Sequence, residues 1–149
     1  MRQTVIVIGL VFLLFGCKTN QMKNKRREGL WIEQYAQDSS HYKSIGKYRK
    51  GDPIKKWNYY LNGKIIKREK YKDNICSTTF YHENGKIKSK GKTKMETSDK
   101  YAHWFYFGDW NFFNEDGKLI TIKKYNNGES FSEIEIKQTC NNSRTPKNK

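Results

Sequence analysis

From Glu28 onward, apolar and polar residues alternate along most of the chain, and polar turns punctuate the alternation. Trp57, Tyr59 and Leu61 fall on one side of an extended segment, with Lys56, Asn58 and Tyr60 on the other. Trp110 and Phe112 repeat the pattern, and Glu133 and Glu135 interleave with Ile134 and Ile136. A period of two belongs to a strand with one face buried. Helical stripes at i, i+3, i+4 are scarce after residue 28. Three segments share one plan: WNYYLNGKI (57–65), TTFYHENGKI (78–87) and WNFFNEDGKL (110–119). Each is an aromatic run, then Asn62-Gly63, Asn84-Gly85 or Asp116-Gly117, then Lys and an aliphatic residue. Such dipeptides between alternating segments predict two-residue hairpins of type I′, with both central residues at positive φ.

The second half of the unit also recurs. Tyr71 opens the polar turn KYKDN (70–74), Tyr125 opens KYNNG (124–128), and KYRKG (47–51) is an earlier copy of the same element. Thr93 stands at the Tyr position of the third copy. Neither of the two prolines falls inside a predicted hairpin, so nothing interrupts the ladders. Together these features predict an all-β fold over 28–137. It is an antiparallel meander of repeated β-hairpins with roughly eight to ten short strands. Valine at Gly63 or Gly117 is expected to destabilise it, and valine at Gly46, outside the turn positions, to do so less. The spacing of the last two turns exceeds that of the previous pair, which places an insertion, KMETSDKYAH (94–103), ahead of the densest aromatic run. A long loop on a rigid scaffold is a candidate carrier of function.

The first residues follow a different pattern. Thr4 to Gly16 is an apolar run preceded by one charge, Arg2, and followed by Cys17 and the basic stretch KTNQMKNKRRE. As a helix the run would reach roughly 20 Å, short of a hydrocarbon core of roughly 30 Å. A charged start, a short apolar centre and small Gly16 describe a secretory signal. The sequence therefore divides into a signal peptide (1–16), Cys17 with a basic tether (17–27), the β-repeat domain (28–137) and a polar tail (138–149).

Leu14-Phe15-Gly16-Cys17 resembles the lipobox of bacterial lipoproteins. The resemblance implies lipidation of Cys17 with fatty acyl chains, cleavage before it, and attachment to a membrane of the cell envelope, facing outside the cytoplasm. The Gly-x-Trp…Asn-Gly-Lys…Tyr-x-x-Gly plan resembles the variant MORN repeat. It is carried by Gly29-Leu30-Trp31, Gly108-Asp109-Trp110, the three turns, and the repeat aromatics Trp31, Trp57, Tyr71, Trp110 and Tyr125. Trp57 lacks the preceding Gly, and Thr78 stands where a Trp is expected. That family includes YwqK-type antitoxins, so the resemblance also implies an immunity or antitoxin-like role against a toxin acting in the envelope. The repeat itself implies a scaffold and no chemistry.

Charge and candidate chemistry add limits. The formal charge is +15, and loss of the signal removes only Arg2, leaving +14. The lysines are dispersed singly. They read as solvated strand faces or as attraction for anionic envelope polymers or headgroups, with Lys55, Lys56, Lys64 and Lys67 around the second hairpin as the group to test. Aromatic and basic residues interleave in KYRKGDPIKKWNYY, a pattern that suits stacking ligands, but export argues against nucleic acid. Cys76 and Cys140 remain as an even pair in an oxidising compartment and form a candidate disulfide. His82 beside a turn reads as solvated, and His103 as packed on the aromatic cluster. Asp38, Ser39, Ser40 and His41 are adjacent in sequence, which is not triad geometry. No spacing fits a metal or cofactor motif. The expected class is a non-enzymatic binding module without cofactors, whose partner is a protein or an anionic polymer.

Overall fold

The structure is a computed structural model and describes residues 18–97 and 102–137. The alternating segments become ten strands: β1 Gln21–Lys23, β2 Arg26–Gln37, β3 Ser40–Arg49, β4 Asp52–Leu61, β5 Lys64–Lys72, β6 Ile75–Tyr81, β7 Ile87–Thr97, β8 Ala102–Phe113, β9 Leu119–Asn126 and β10 Glu129–Glu135. They form one sheet in sequential order, every neighbour antiparallel. The expected all-β meander is therefore the fold. The signal segment 1–16, Cys17, the tail 138–149 and Cys140 with it lie outside the described residues.

The ordered sheet begins earlier than the pattern suggests, inside the segment read as an unpaired tether. Asn24 (φ 50) and Lys25 (φ 58) make a left-handed turn that pairs Lys23 with Arg26. Asn20 then closes the edge of β2. Its backbone N–H donates to Leu30 O at 2.8 Å, its side-chain amide donates to Ile32 O at 2.8 Å, and its Oδ1 accepts from Ile32 N at 2.7 Å. A side-chain amide thus takes the place of strand backbone.

The three signature turns are not all alike. Asn62 (φ 48) and Gly63 (φ 79) form the expected two-residue turn. At the other two, only Gly85 (φ 82) and Gly117 (φ 83) are left-handed. Gly85 N bonds His82 O and Gly117 N bonds Asn114 O, both at 2.9 Å. These are three-residue loops, Glu83-Asn84-Gly85 and Glu115-Asp116-Gly117, in which the extra Glu turns the chain in the right-handed region before glycine closes the loop. Each of the three hairpins then carries a bulge at the same offset: Ile66, Lys88 and Ile120 are skipped by the pairing. The turns also join across the sheet end. Asn62 N donates to His41 O and His41 N to Asn62 Oδ1, both at 2.8 Å, and Asn84 Nδ2 donates to Glu115 O at 2.8 Å. His82, expected in solvent, instead places Nε2 2.9 Å from Phe113 O on the next hairpin.

A Cβ at Gly63 would meet nothing within 4 Å, so its replacement is opposed by backbone strain alone. Gly63→Val should lower stability by about 1–2 kcal/mol, and Gly63→Asn by clearly less, because Asn tolerates the left-handed region. Urea melts of the two variants check this, and equal losses would contradict the assigned turn.

The insertion is not a loop over most of its length. β7 and β8 pair out to Thr97 and Ala102, so the added residues on either side lengthen these two strands; 98–101 lie outside the described residues. The extension brings Trp104 to 5.6 Å from Tyr71, edge to face, and Met95 N to Asn74 O at 2.8 Å. His103 packs on Phe105, with ring centroids 4.5 Å apart, as expected.

Among the described residues, no helix or second sheet covers either face. Burial is achieved within one layer by laying indoles flat over glycines. Trp57 and Trp110 are each 2% exposed. A Cβ at Gly46 would lie 1.9 Å from the Trp57 ring, and one at Gly91 2.2 Å from the Trp110 ring. Each indole Nε1 donates to the carbonyl just past the glycine, Lys47 O at 3.2 Å and Lys92 O at 3.0 Å. Gly46 is thus the opposite of a tolerant position, because the largest buried side chain of its neighbourhood occupies the space a Cβ would need.

Candidate functional site: the two faces of the sheet

Cross-strand partners share a face, so the register sorts the side chains. One row runs Trp31↔Gly46, then Trp57↔Glu69↔Thr78↔Gly91, then Trp110↔Lys123↔Glu133. A neighbouring row on the same face runs Tyr71↔Cys76↔Thr93↔Tyr106. The opposite face carries Lys56↔Lys70↔Ser77↔Lys92 and Asn58↔Arg68↔Thr79↔Lys90. Most of the lysines scattered singly through the sequence are gathered on one side, where Phe105 and Phe107 stand among them, and the two buried tryptophans lie on the other.

The aromatic face holds two ring clusters. Trp31, Tyr48 and Trp57 meet edge to face at 5.6 and 4.8 Å, and Trp110, Tyr106 and Tyr125 meet at 4.5 and 5.1 Å. Between them lies Glu69, whose side chain is 13% exposed. Its Oε2 accepts from Tyr59 OH at 2.6 Å and Tyr71 OH at 2.8 Å, and its Oε1 meets Lys67 Nζ at 2.9 Å. Lys67 Nζ also sits 3.9 Å from the centre of the Tyr59 ring. Burial, followed by the hydrogen bond to Glu69, pushes the Tyr59 hydroxyl far above the ordinary tyrosine value; burial and the Glu69 charge do the same to Tyr71. Both therefore remain protonated donors. Cys76 is buried with Sγ 3.6 Å from Thr78 Oγ1, and burial raises its thiol. No buried side-chain N or O among the described residues lacks a partner. A trough of about 370 Å³ runs over Glu69, Phe80 and Trp104, and one of about 480 Å³ over Tyr35, Tyr42 and Phe80 adjoins it.

The cationic face has its own groove of about 500 Å³, with Leu30 and Ile45 in its lining and Lys47, Lys55, Lys56, Lys70 and Lys72 around it. The ion pairs among the described residues, Arg27–Glu33, Lys67–Glu69, Lys94–Glu96 and Lys123–Glu133, use none of these five lysines. Lys123, held by Glu133, has its ammonium shifted upward by that hydrogen bond. Lys55 takes φ 58 at the position where the other copies have Gly29 (φ 75) and Gly108 (φ 66). This accounts for the missing glycine before Trp57: the backbone conformation is kept and a lysine adopts it.

The four lysines expected to act as one group are divided by the fold. Lys55 and Lys56 line the cationic groove, Lys67 is bound to Glu69 on the aromatic side, and Lys64 sits beside the turn. Of the repeat aromatics, Trp57 and Trp110 are the buried anchors. Trp31 and Tyr125 pack beside them, and Tyr71 binds Glu69. Glu69, Gly91 and Lys70 are the residues sequence reasoning passed over, and Gly46 is the one it took for the milder position. A glycine within a strand was the available signal for two of them. No group of three or more His, Cys, Asp or Glu among the described residues could hold a metal ion. The fold and its faces define a repeat-built, single-layer β-sheet. Comparison of the chain with protein-family models, curated proteins and solved structures finds no match.

Proposed function

We propose that this chain is a lipid-anchored binding module of the bacterial cell envelope and that it works without catalysis. The observation that carries the binding role is a sheet left uncovered among the described residues, with the tryptophan and tyrosine clusters on one face and the rows of lysines on the other. The half-buried ionisable cluster on the aromatic face is engaged within itself. Glu69 is occupied by two hydroxyls and an ammonium, and its two tyrosines are held protonated. What remains open to a partner is surface. The anchor reading rests on Leu14-Phe15-Gly16-Cys17, and more than one acyl chain on Cys17 would make attachment stable.

Two measurements test this. Cys17→Ser should abolish palmitate labelling and lipoprotein-type cleavage; a Ser variant that still takes label and matures normally would remove the anchor from the proposal. A photo-crosslinking residue at exposed Ser77, between Lys70 and Lys92, should give a discrete adduct in cells with the anchor intact. Absence of any adduct from Ser77, and from Thr93 on the aromatic face, would refute the binding role.

A further inference from the structure

We infer that the cationic groove is a docking site for a linear polyanion, a flexible polymer bearing repeated phosphate or carboxylate groups, with Lys47, Lys56, Lys70 and Lys72 as the contacting cations. The inference rests on the binding-module reading and gives it a site and a ligand class.

Three observations converge on it. Lys56 and Lys70 are direct cross-strand partners, and like charges placed so destabilise a sheet. A ligand carrying negative charge relieves that repulsion. Lys55 keeps a left-handed backbone that two other copies of the repeat assign to glycine. Strained residues of this kind concentrate at ligand clamps, and this one lines the same groove. The row continues through Ser77 to Lys92, with Arg68 and Lys90 in the row beside it, so the charge forms a track running across strands at about 4.8 Å per strand.

The shape of the sheet selects a polymer over a bilayer. Neighbouring strands rotate by about 20–25°, so the track from β4 to β7 turns its face through about 60–75°. A plane of headgroups meets only part of such a surface, whereas a flexible chain can follow it.

The test uses the full chain in neutral detergent, with long-chain inorganic polyphosphate, neutral dextran and phosphatidylglycerol vesicles as probes. Polyphosphate should bind and dextran should not. The logarithm of affinity should fall with the logarithm of salt with a slope of about −2.8, from about 0.7 per phosphate contact and four lysines. Lys56→Gln/Lys70→Gln should weaken binding at least about tenfold and flatten the slope by about 1.4. The same variant should melt about 1–3 °C higher in the absence of polyphosphate, which separates loss of the site from loss of the fold. Lys64→Gln/Lys118→Gln removes the same charge beside the turns and should leave affinity within about twofold. Equal weakening by both double variants would overturn the site, leaving only net charge. Binding to vesicles without binding to polyphosphate would overturn the polymer in favour of the bilayer. A Ser77 adduct with a protein, in a chain that ignores polyphosphate, would overturn this inference and leave the binding module standing.

Discussion

Gly46→Ala should be among the most damaging single substitutions in the domain, despite adding one methyl group. The new Cβ would lie 1.9 Å from the Trp57 ring, closer than any packing arrangement permits, and the contact is with the rigid indole core. The ring must leave the sheet surface and give up its hydrogen bond to Lys47 O. The loss should approach that of Trp57→Ala, about 3–5 kcal/mol, a large share of a typical domain stability of about 5–15 kcal/mol. The two changes act on one contact, so Gly46→Ala/Trp57→Ala should be little worse than Trp57→Ala alone, and a double-mutant cycle measures this coupling. Gly91→Ala should behave the same way with Trp110, whose ring a Cβ would approach to 2.2 Å. A denaturation midpoint for Gly46→Ala close to that of the parent chain would show that the indole does not rest on the glycine.

The second large effect is alkaline unfolding. Tyr59 and Tyr71 are both raised above the ordinary value of 10.0 by burial and by Glu69. For a group whose folded pKa is raised, the folded state keeps its proton where the unfolded state loses it. Stability is therefore fully present below pH 10 and declines as pH rises further. Each tyrosine should remove about 1.4 kcal/mol per pH unit in that range, so the pair should remove about 2.7 kcal/mol per unit. The chain should unfold in one cooperative alkaline transition above pH 10. Tyrosinate absorbance should show two of the ten tyrosines ionising only with that transition. Tyr59→Phe/Tyr71→Phe should be less stable at neutral pH, because Glu69 loses both donors, yet show a flatter decline above pH 10. A parent chain whose tyrosines all titrate near pH 10 while it remains folded would contradict the Glu69 arrangement.

The sequence by itself determined the class of the fold, because its determinants are local. A period of two between Asn-Gly and Asp-Gly turns has few solutions other than sequential antiparallel hairpins, and the order of the ten strands follows from short connections. The turn positions at 62–63, 84–85 and 116–117 were readable for the same reason, although the extra Glu83 and Glu115 changed two of the turn types. The lipobox-like LFGC is likewise a local pattern. Tertiary structure alone decided what each face carries. Bulges at Ile66, Lys88 and Ile120 shift the inside-outside parity, so alternation read along one strand cannot be extended through a hairpin to the next. Glu69 looks like one more charge in KREKYK until β4 and β5 pair and set Tyr59 and Tyr71 against it. Gly46 looks like a spare glycine until β4 lays Trp57 across it. Lysines dispersed in sequence become a cationic face because cross-strand neighbours come within about 5 Å of one another while sequence neighbours point apart.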